Sequence, residues 1–188
     1  MSKSFYMFGL NFDSITMNQC LEKISKLVRK GNINGKNYYV ATINLDFLSK
    51  AIGLNGKKLK NERLYNCLKS SVIKIADGMP IVWWSKLLKN SLPERITGAD
   101  LVPELCKKAN TEKWKVYFLG SSDDVLNQLT NQLKSKYKNI RIVGHASPKF
   151  EIKDNLLVNN EYFDKKILKD IKRVNPDLMI LSFGCPKQ

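Results

Sequence analysis

The stretch Val116–Tyr137, VYFLGSSDDVLNQLTNQLKSKY, decides the fold class of this chain. It opens on four apolar residues in a row, as expected of a strand that is covered on both faces. The turn Gly120-Ser121-Ser122 follows, and from Asp123 onward apolar residues recur every three or four positions, as on one face of a helix. A buried strand, a tight turn and an amphipathic helix make up the first part of a unit that joins two parallel strands.

The same alternation runs along the rest of the chain. The predicted strands are Tyr38–Thr42, Val72–Ala76, Val116–Leu119, Ile140–Gly144 and Leu178–Phe183. The predicted helices are one from Met17 that stops at Gly31, then Leu45–Leu54, Ile81–Lys89, Leu101–Asn110, Asp123–Tyr137 and Tyr162–Val174. This order predicts an α/β fold with a mainly parallel sheet and helices on both of its faces. The length of 188 residues favours a single domain over residues 1–188.

Composition excludes several classes of protein. Hydrophobic residues make up 43% of the chain, which is typical of a folded domain, yet no apolar run reaches the ~20 residues that span a bilayer. The four cysteines are far apart and form no C-x-x-C pair, which indicates reduced thiols. Because His145 is the only histidine, we predict no metal site.

The formal charge of +15 does not by itself identify what the basic protein surface binds. Lysines outnumber arginines by 27 to 5, and the excess charge is spread along the chain. A solvated lysine-rich surface explains this pattern, and attraction to anionic lipid is the next interpretation. Nucleic acid comes third, because stacking on bases needs exposed aromatic residues among the basic ones, and the sequence shows none so arranged.

Polar residues follow several of the predicted strands. Ligands of parallel α/β sheets bind at the carboxyl ends of the strands, so these residues are candidates for a functional site. The candidates of this kind are Thr42 and Asn44, Asp77, Gly120 and Ser121, His145, and the closing Gly184–Gln188.

Asp77 has the most specific sequence context of these candidates. It ends an apolar strand and is followed by Gly78 and Pro80, which predict a stiff turn into the next helix. A carboxylate in this place suits a general base. Aspartate is also a preferred helix N-cap, so capping of the following helix is the alternative interpretation.

The other candidates also have two interpretations each. Gly120 and Ser121 precede a helix whose free N–H groups could cradle a diphosphate, although Ser122 could simply cap that helix. Arg95 offers the planar fork that binds phosphate, or a surface ion pair with Glu94 or Glu104. Asp100 could cap the helix predicted to follow it.

Thr42 and Asn44 suit a ligand rich in hydroxyl groups, with turn chemistry as the alternative. We favour His145 as a surface or strand-end residue whose hydrogen bonds are satisfied over His145 as a catalyst, and its role is left open.

Together, these segments resemble the WecG/TagA/CpsF glycosyltransferases. The resemblance covers residues 5–188 and is carried by T-x-N at 42–44, A-D-G-M-P at 76–80, E-R-I-T-G-A-D-L at 94–101, V-Y-F-L-G-S at 116–121 and F-G-C-P-K-Q at 183–188. It implies a Rossmann-like α/β fold. It also implies an inverting enzyme without an obligatory metal or other cofactor.

The resemblance further implies the substrates and the location. The donor is a UDP-sugar that supplies N-acetylmannosamine or its uronic acid, and the acceptor is undecaprenyl-diphosphate-linked N-acetylglucosamine. The product serves teichoic acid, common antigen or capsule synthesis. The enzyme is then cytoplasmic and peripheral on the inner face of the cell membrane, with no nucleic-acid partner, and a homo-oligomer is left open.

Site residues follow from the resemblance position by position. Asp77 matches the proposed general base, and Arg95 matches the arginine that steadies the diphosphate leaving group. Thr42, Asn44 and Gln188 match polar residues of the same pocket. Gly120 and Ser121 from the strand-end analysis, and Asp100 from the stretch that contains Arg95, complete the predicted substrate-binding set.

The sequence departs from the family pattern at its end. Members usually continue past P-K-Q, whereas this sequence stops at Gln188. We therefore expect a glycosyltransferase core domain without the C-terminal tail that is associated with membrane docking. The competing hypothesis is a basic Rossmann-like module that binds nucleic acid without catalysis, for which salt-dependent oligonucleotide binding would be diagnostic.

Overall fold

The computed structural model describes residues 4–52, 59–88, 91–148, 151–153, 156–158 and 161–183. The chain divides into two compact units, Met1–Pro103 and Glu104–Gln188. Both units combine helices with parallel strands, which confirms the predicted α/β class.

The first unit is built around a pair of parallel strands and the helices that connect and follow them. Its elements are β1 Ser4–Met7, β2 Leu10–Asp13, α1 Met17–Asn34, β3 Val40–Ile43, α2 Leu45–Ile52, α3 Glu62–Ser70, β4 Ile73–Ala76, α4 Met79–Leu87 and the start of α5 Gly98–Glu112. β3 and β4 pair in parallel with Ile43 opposite Ala76. Ile43 and Ala76 are buried in one core with Ile81 and Val82 of α4.

The N-terminal hairpin was not predicted, and it completes this core. β1 and β2 pair antiparallel through a turn at Phe8 and Gly9, both of which have positive φ. Phe5 and Phe12 are fully buried, with ring centroids 6.3 Å apart. Asp13 then joins the hairpin to β4, because its Oδ2 accepts a hydrogen bond from the Lys74 backbone N–H at 3.0 Å.

The predicted end of the first helix is wrong. The capping box of Thr16 and Gln19 is present, but α1 continues through Gly31 to Asn34. Gly35 ends the helix in the left-handed conformation, with φ of 67°, and its N–H bonds to the Gly31 carbonyl at 2.8 Å. A glycine inside a helix costs only about 1 kcal/mol, so Gly31 alone did not stop it.

Two further helices begin earlier than predicted. α4 begins at Met79 instead of Ile81, because Pro80 is accommodated within the first turn, where its missing N–H is not needed. α5 begins at Gly98 instead of Leu101. Both shifts bring the helix starts closer to the strand ends that carry the candidate residues.

The second unit contains a parallel sheet in the order β6-β5-β9. Its elements after α5 are β5 Lys115–Gly120, α6 Asp123–Lys136, β6 Arg141–Ala146, β7 Glu151–Lys153, β8 Leu156–Val158, α7 Glu161–Val174 and β9 Leu178–Ser182. The chain moves from β5 outward to β6 through α6 and returns past β5 to β9 through α7. With right-handed crossovers, this reversal puts α6 and α7 on opposite faces of the sheet.

Position 120, where β5 meets β9, has room only for a glycine. Its φ is 108°, and a Cβ there would lie 2.6 Å from the Ser182 carbonyl oxygen and 2.9 Å from the Phe183 ring. We expect Gly120→Ala to lower the free energy of unfolding by about 2 kcal/mol or more, from backbone strain and overlap together. Denaturant titration measures this.

Gly35→Ala is the matched control, since its φ is 67° but nothing lies within 4 Å of the added carbon. In this variant the free energy of unfolding should fall only by the cost of backbone strain, about 1 kcal/mol. Equal losses in the two variants would show that the contact with β9 does not matter.

Within the described ranges, no helix combines the length and apolar character needed to cross a bilayer.

Candidate active site

The carboxyl ends of β3 and β4 bring three of the predicted residues together. The parallel register continues past the strands, because the Asp77 backbone N–H donates to the Ile43 carbonyl at 2.8 Å. Thr42 lies in β3, Asn44 directly follows it, and Asp77 directly follows β4. All three side chains are half-buried at this edge.

The Asp77 carboxylate is bound to the start of a helix that is distant in sequence. Its Oδ2 accepts a hydrogen bond from the Gly98 N–H, the first of α5, at 3.2 Å. The N-cap of α4 is Gly78, with no side-chain cap, so the interpretation of Asp77 as the cap of the following helix is wrong. No partner for Oδ1 is found among the residues that the structure describes.

Gly98 lies close to two of these three side chains, Thr42 and Asp77. A Cβ on Gly98 would lie 3.7 Å from Thr42 Oγ1 and 4.0 Å from Asp77 Oδ2. The segment that leads to Gly98 is fixed to the strand end, since the Ile96 N–H donates to the Ala76 carbonyl at 3.1 Å. Backbone bonds therefore position the start of α5 over the end of β4.

Arg95 lies on this same segment, and its partner is Asp100. Arg95 Nη2 is 3.5 Å from Asp100 Oδ2, and the two side chains are 44% and 54% exposed. The predicted partners Glu94 and Glu104 are wrong: Glu94 instead accepts from the Met17 N–H at the start of α1. An exposed pair of this length contributes little stability and leaves most of the guanidinium open to a ligand.

Asp100 is held by the cap of α5. Its N–H donates to Thr97 Oγ1 at 3.0 Å, and the Thr97 hydroxyl donates to Asp100 Oδ2 at 2.7 Å. Thr97, not Asp100, therefore caps the helix. Asp100 links this rigid cap to Arg95. Thr97 and Gly98 were not singled out from the sequence, although both lie inside the E-R-I-T-G-A-D-L stretch.

Asn44 has a structural role of the kind expected from turn chemistry. Its Oδ1 accepts from the Phe47 N–H at 3.0 Å, and its backbone carbonyl accepts from the Leu48 N–H at 3.1 Å. Asn44 therefore caps α2. The cap uses the carbonyl oxygen of the side chain and does not engage the amide NH2 group, which is a donor.

In the second unit, Gly120 and Ser121 form a turn with two positive φ values, 108° and 69°. Ser122 caps α6 by accepting from the Val125 N–H at 3.4 Å, as the alternative interpretation held. Ser147 Oγ donates to the Ser121 carbonyl at 2.6 Å. The first turn of α6 also carries two aspartates, Asp123 and Asp124, which weakens its attraction for a diphosphate.

His145 lies elsewhere in the second unit, in a cleft of about 400 Å³ between β6 and α7. There the buried Tyr117 hydroxyl donates to Asp170 Oδ2 at 3.1 Å, and burial followed by this bond raises the pKa of Tyr117 to about 12. Asp170 also pairs with Arg173 at 2.5 Å, and that bond lowers its pKa. Tyr117 and Asp170 thus form a structural link that the sequence pattern did not reveal.

Two further predictions concern metal and the chain end. Over the described ranges, no group of three His, Cys, Asp or Glu residues is placed to hold a metal ion. Gln188 and the rest of the closing F-G-C-P-K-Q stretch after Phe183 lie outside the described residues.

The fold and this edge define an α/β protein that presents an acid and a guanidinium where parallel strands end. Comparison of sequences then identifies its family. Residues 5–188 match the model of the glycosyl transferase WecG/TagA/CpsF family, and the chain belongs to that family.

Curated relatives share one described activity. The chain is 30% identical over 149 residues to an N-acetylglucosaminyldiphosphoundecaprenol N-acetyl-beta-D-mannosaminyltransferase of Bacillus subtilis, which covers 79% of this chain and 51% of the relative. It is 27% identical over 182 residues to a protein of the same name from Staphylococcus aureus strain NCTC 8325, which covers 97% of this chain and 64% of the relative. The chain therefore spans between half and two thirds of the length of these relatives.

Proposed function

We propose that this chain is the core of an inverting glycosyltransferase. It moves an N-acetylmannosamine-type sugar, or its uronic acid, from a UDP donor to N-acetylglucosamine linked to a polyprenyl diphosphate. The family match and the names of the relatives support this reaction class. The observation that carries the proposal is the Asp77 carboxylate at the end of β4, which is hydrogen-bonded to Gly98 at the end of the segment that bears Arg95.

The chemistry needs one base and one positive group. The acceptor hydroxyl oxygen attacks the anomeric carbon of the sugar from the face opposite UDP. The new carbon–oxygen bond forms as the bond to the β-phosphate oxygen breaks, and UDP leaves with that electron pair. Asp77 takes the proton from the attacking hydroxyl, so the carboxylate becomes a carboxylic acid and the charge is balanced.

Positive charge is needed where UDP departs. Arg95 provides a planar fork suited to two phosphate oxygens. The N-terminus of the 15-residue helix α5 adds positive potential, which Asp100 in its first turn reduces. Asp100 acts as a positioning residue, because it connects Arg95 to the Thr97 cap. These groups stabilise charge that develops as the bond breaks, which is where stabilisation accelerates the reaction.

The remaining predicted residues are assigned to binding. Thr42 and the amide group of Asn44 lie at the same strand ends as Asp77 and suit the hydroxyl and acetamido groups of a sugar. Gly120, Ser121 and Gln188 stay predicted members of the substrate-binding set.

The acceptor determines the proposed location. A polyprenyl diphosphate stays in a bilayer, and a nucleotide sugar is soluble. We therefore place the protein on the cytoplasmic face of the membrane as a peripheral protein, and leave a homo-oligomer open.

A melting-temperature screen tests the proposed function. A ligand that binds only the folded state raises stability, by about 2.7 kcal/mol at a hundred times its dissociation constant. We expect stabilisation by UDP-N-acetylmannosamine and UDP, and none by a single-stranded oligonucleotide at physiological salt. Stabilisation by the oligonucleotide alone, lost as salt is raised, would replace this proposal with the nucleic-acid module.

A further inference from the structure

Helix α4 exposes an apolar face next to the candidate active site. Met79, Trp83 and Leu87 follow one another at four-residue spacing. Trp84 and Leu88, the C-cap residue directly after α4, form a second row beside them. Residues four apart on a helix are neighbours, so the five side chains make one continuous surface. We call these five residues the α4 patch.

The patch is large for so short a helix. Leu87 is 73% exposed, Trp83 60% and Trp84 52%. The opposite face of α4, with Ile81, Val82 and Ser85, is already buried in the core of the first unit. The helix therefore has apolar side chains on both its buried and its exposed face, and contiguous exposed apolar surface of this kind marks an interaction site.

Its chemistry fits a bilayer surface. Tryptophan is enriched at the level of lipid headgroups, where its ring is buried and its N–H stays hydrated. α4 has nine residues and is about 13 Å long, so it is short enough to lie in the interface and too short to span a membrane.

Charge favours an anionic membrane. Lys86 lies one helical turn from Trp83, at the border of the patch. Residues 1–103 hold 16 Lys and Arg against seven Asp and Glu, a formal charge of +9. Basic residues near an anionic surface contribute about 1 kcal/mol each, in addition to burial of the apolar side chains.

From these observations, we propose that the α4 patch docks the protein on an anionic lipid bilayer. Because α4 begins two residues after Asp77, docking through this face brings the candidate base to the membrane surface, where a lipid-linked acceptor presents its sugar. This last step rests on the proposed function, whereas binding to the bilayer does not.

Vesicle co-sedimentation tests the docking. Vesicles of equimolar phosphatidylglycerol and phosphatidylcholine are compared with phosphatidylcholine alone. The patch variant combines Trp84→Gln with Leu87→Gln. The matched control combines Ile33→Gln in α1 with Leu168→Gln in α7, which are 86% and 55% exposed and lie outside the patch. We expect wild type and control to bind the anionic vesicles, and the patch variant to bind about tenfold more weakly or less.

Equal binding of the patch variant and wild type would overturn the proposal, as would wild type that stays in the supernatant. Light scattering tests whether a second copy of the chain, instead of a bilayer, covers the α4 patch. A wild-type dimer that becomes a monomer in the patch variant, with unchanged vesicle binding, would assign the patch to a second copy of the chain. Should the double variant fail to fold by circular dichroism, Leu87→Gln alone repeats the comparison.

Calorimetry with UDP separates this proposal from the proposed function. The patch variant should bind UDP as wild type does, because the patch lies on the outer face of α4. Loss of vesicle binding with intact UDP binding supports both proposals. Vesicle binding through the patch by a protein that does not bind UDP would keep the docking proposal and refute the proposed function.

Discussion

Asp77→Asn should lower the rate of sugar transfer by about 10²–10⁴-fold, because the amide cannot accept the proton of the attacking hydroxyl. Asparagine keeps a side-chain oxygen that can accept from the Gly98 N–H, so the start of α5 stays in place. Turnover of UDP-N-acetylmannosamine with a lipid-linked acceptor measures the rate. Calorimetry with UDP should show an affinity within about twofold of wild type, since the base does not hold the leaving group.

Asp46→Asn is the control for this substitution. Asp46 is an exposed carboxylate in the first turn of α2, paired with Lys50 at 2.7 Å. Its loss changes the charge of the first unit by the same amount, yet it should leave the transfer rate unchanged. If Asp77→Asn and Asp46→Asn transfer sugar equally fast, Asp77 is not the base.

Arg95→Ala should weaken UDP binding by about ten- to a hundredfold, which corresponds to the 1.5–3 kcal/mol of a charged hydrogen bond. Arg95→Lys should recover only part of this affinity, because an ammonium group cannot contact two phosphate oxygens in one plane. Stability should change little in both variants, since the Arg95–Asp100 pair is exposed and 3.5 Å long. Calorimetry and thermal melting measure the two effects.

Arg63→Ala provides the matched loss of an exposed arginine from the same unit. Its UDP affinity should equal that of wild type. If Arg63→Ala weakens UDP binding as much as Arg95→Ala does, while Arg95→Lys binds UDP as wild type does, the effect comes from net charge, and Arg95 has no specific contact with the diphosphate.

Parts of the fold with strong local signals were predictable. The continuous apolar run before Gly120 and the helical spacing after it gave the parallel unit of β5 and α6, because burial on both faces demands this pattern. The hairpin of β1 and β2 was missed, since four-residue strands joined at Phe8-Gly9 lack a strong turn signal. α3 was missed because only Leu68 of its nine residues is buried, which leaves little apolar periodicity.

The candidate site was predictable in its members and less so in its contacts. Asp77 was found because a carboxylate directly follows an apolar strand, and the rule for parallel sheets puts such residues at one edge. Its bond to the Gly98 N–H could not be predicted, since the two residues are 21 positions apart and meet only through tertiary structure. The sequence analysis named Glu94 or Glu104 as the ion-pair partner of Arg95 and missed Asp100, which the Thr97 cap of α5 holds in place.

A crystal structure with bound UDP-N-acetylmannosamine shows whether Asp77 and Arg95 line one substrate site. We expect diphosphate oxygens about 3 Å from the Arg95 guanidinium, and the anomeric carbon facing Asp77 across a gap that fits one hydroxyl group. A nucleotide sugar bound at well-defined occupancy away from the ends of β3 and β4, with Arg95 still paired only to Asp100, would contradict this expectation.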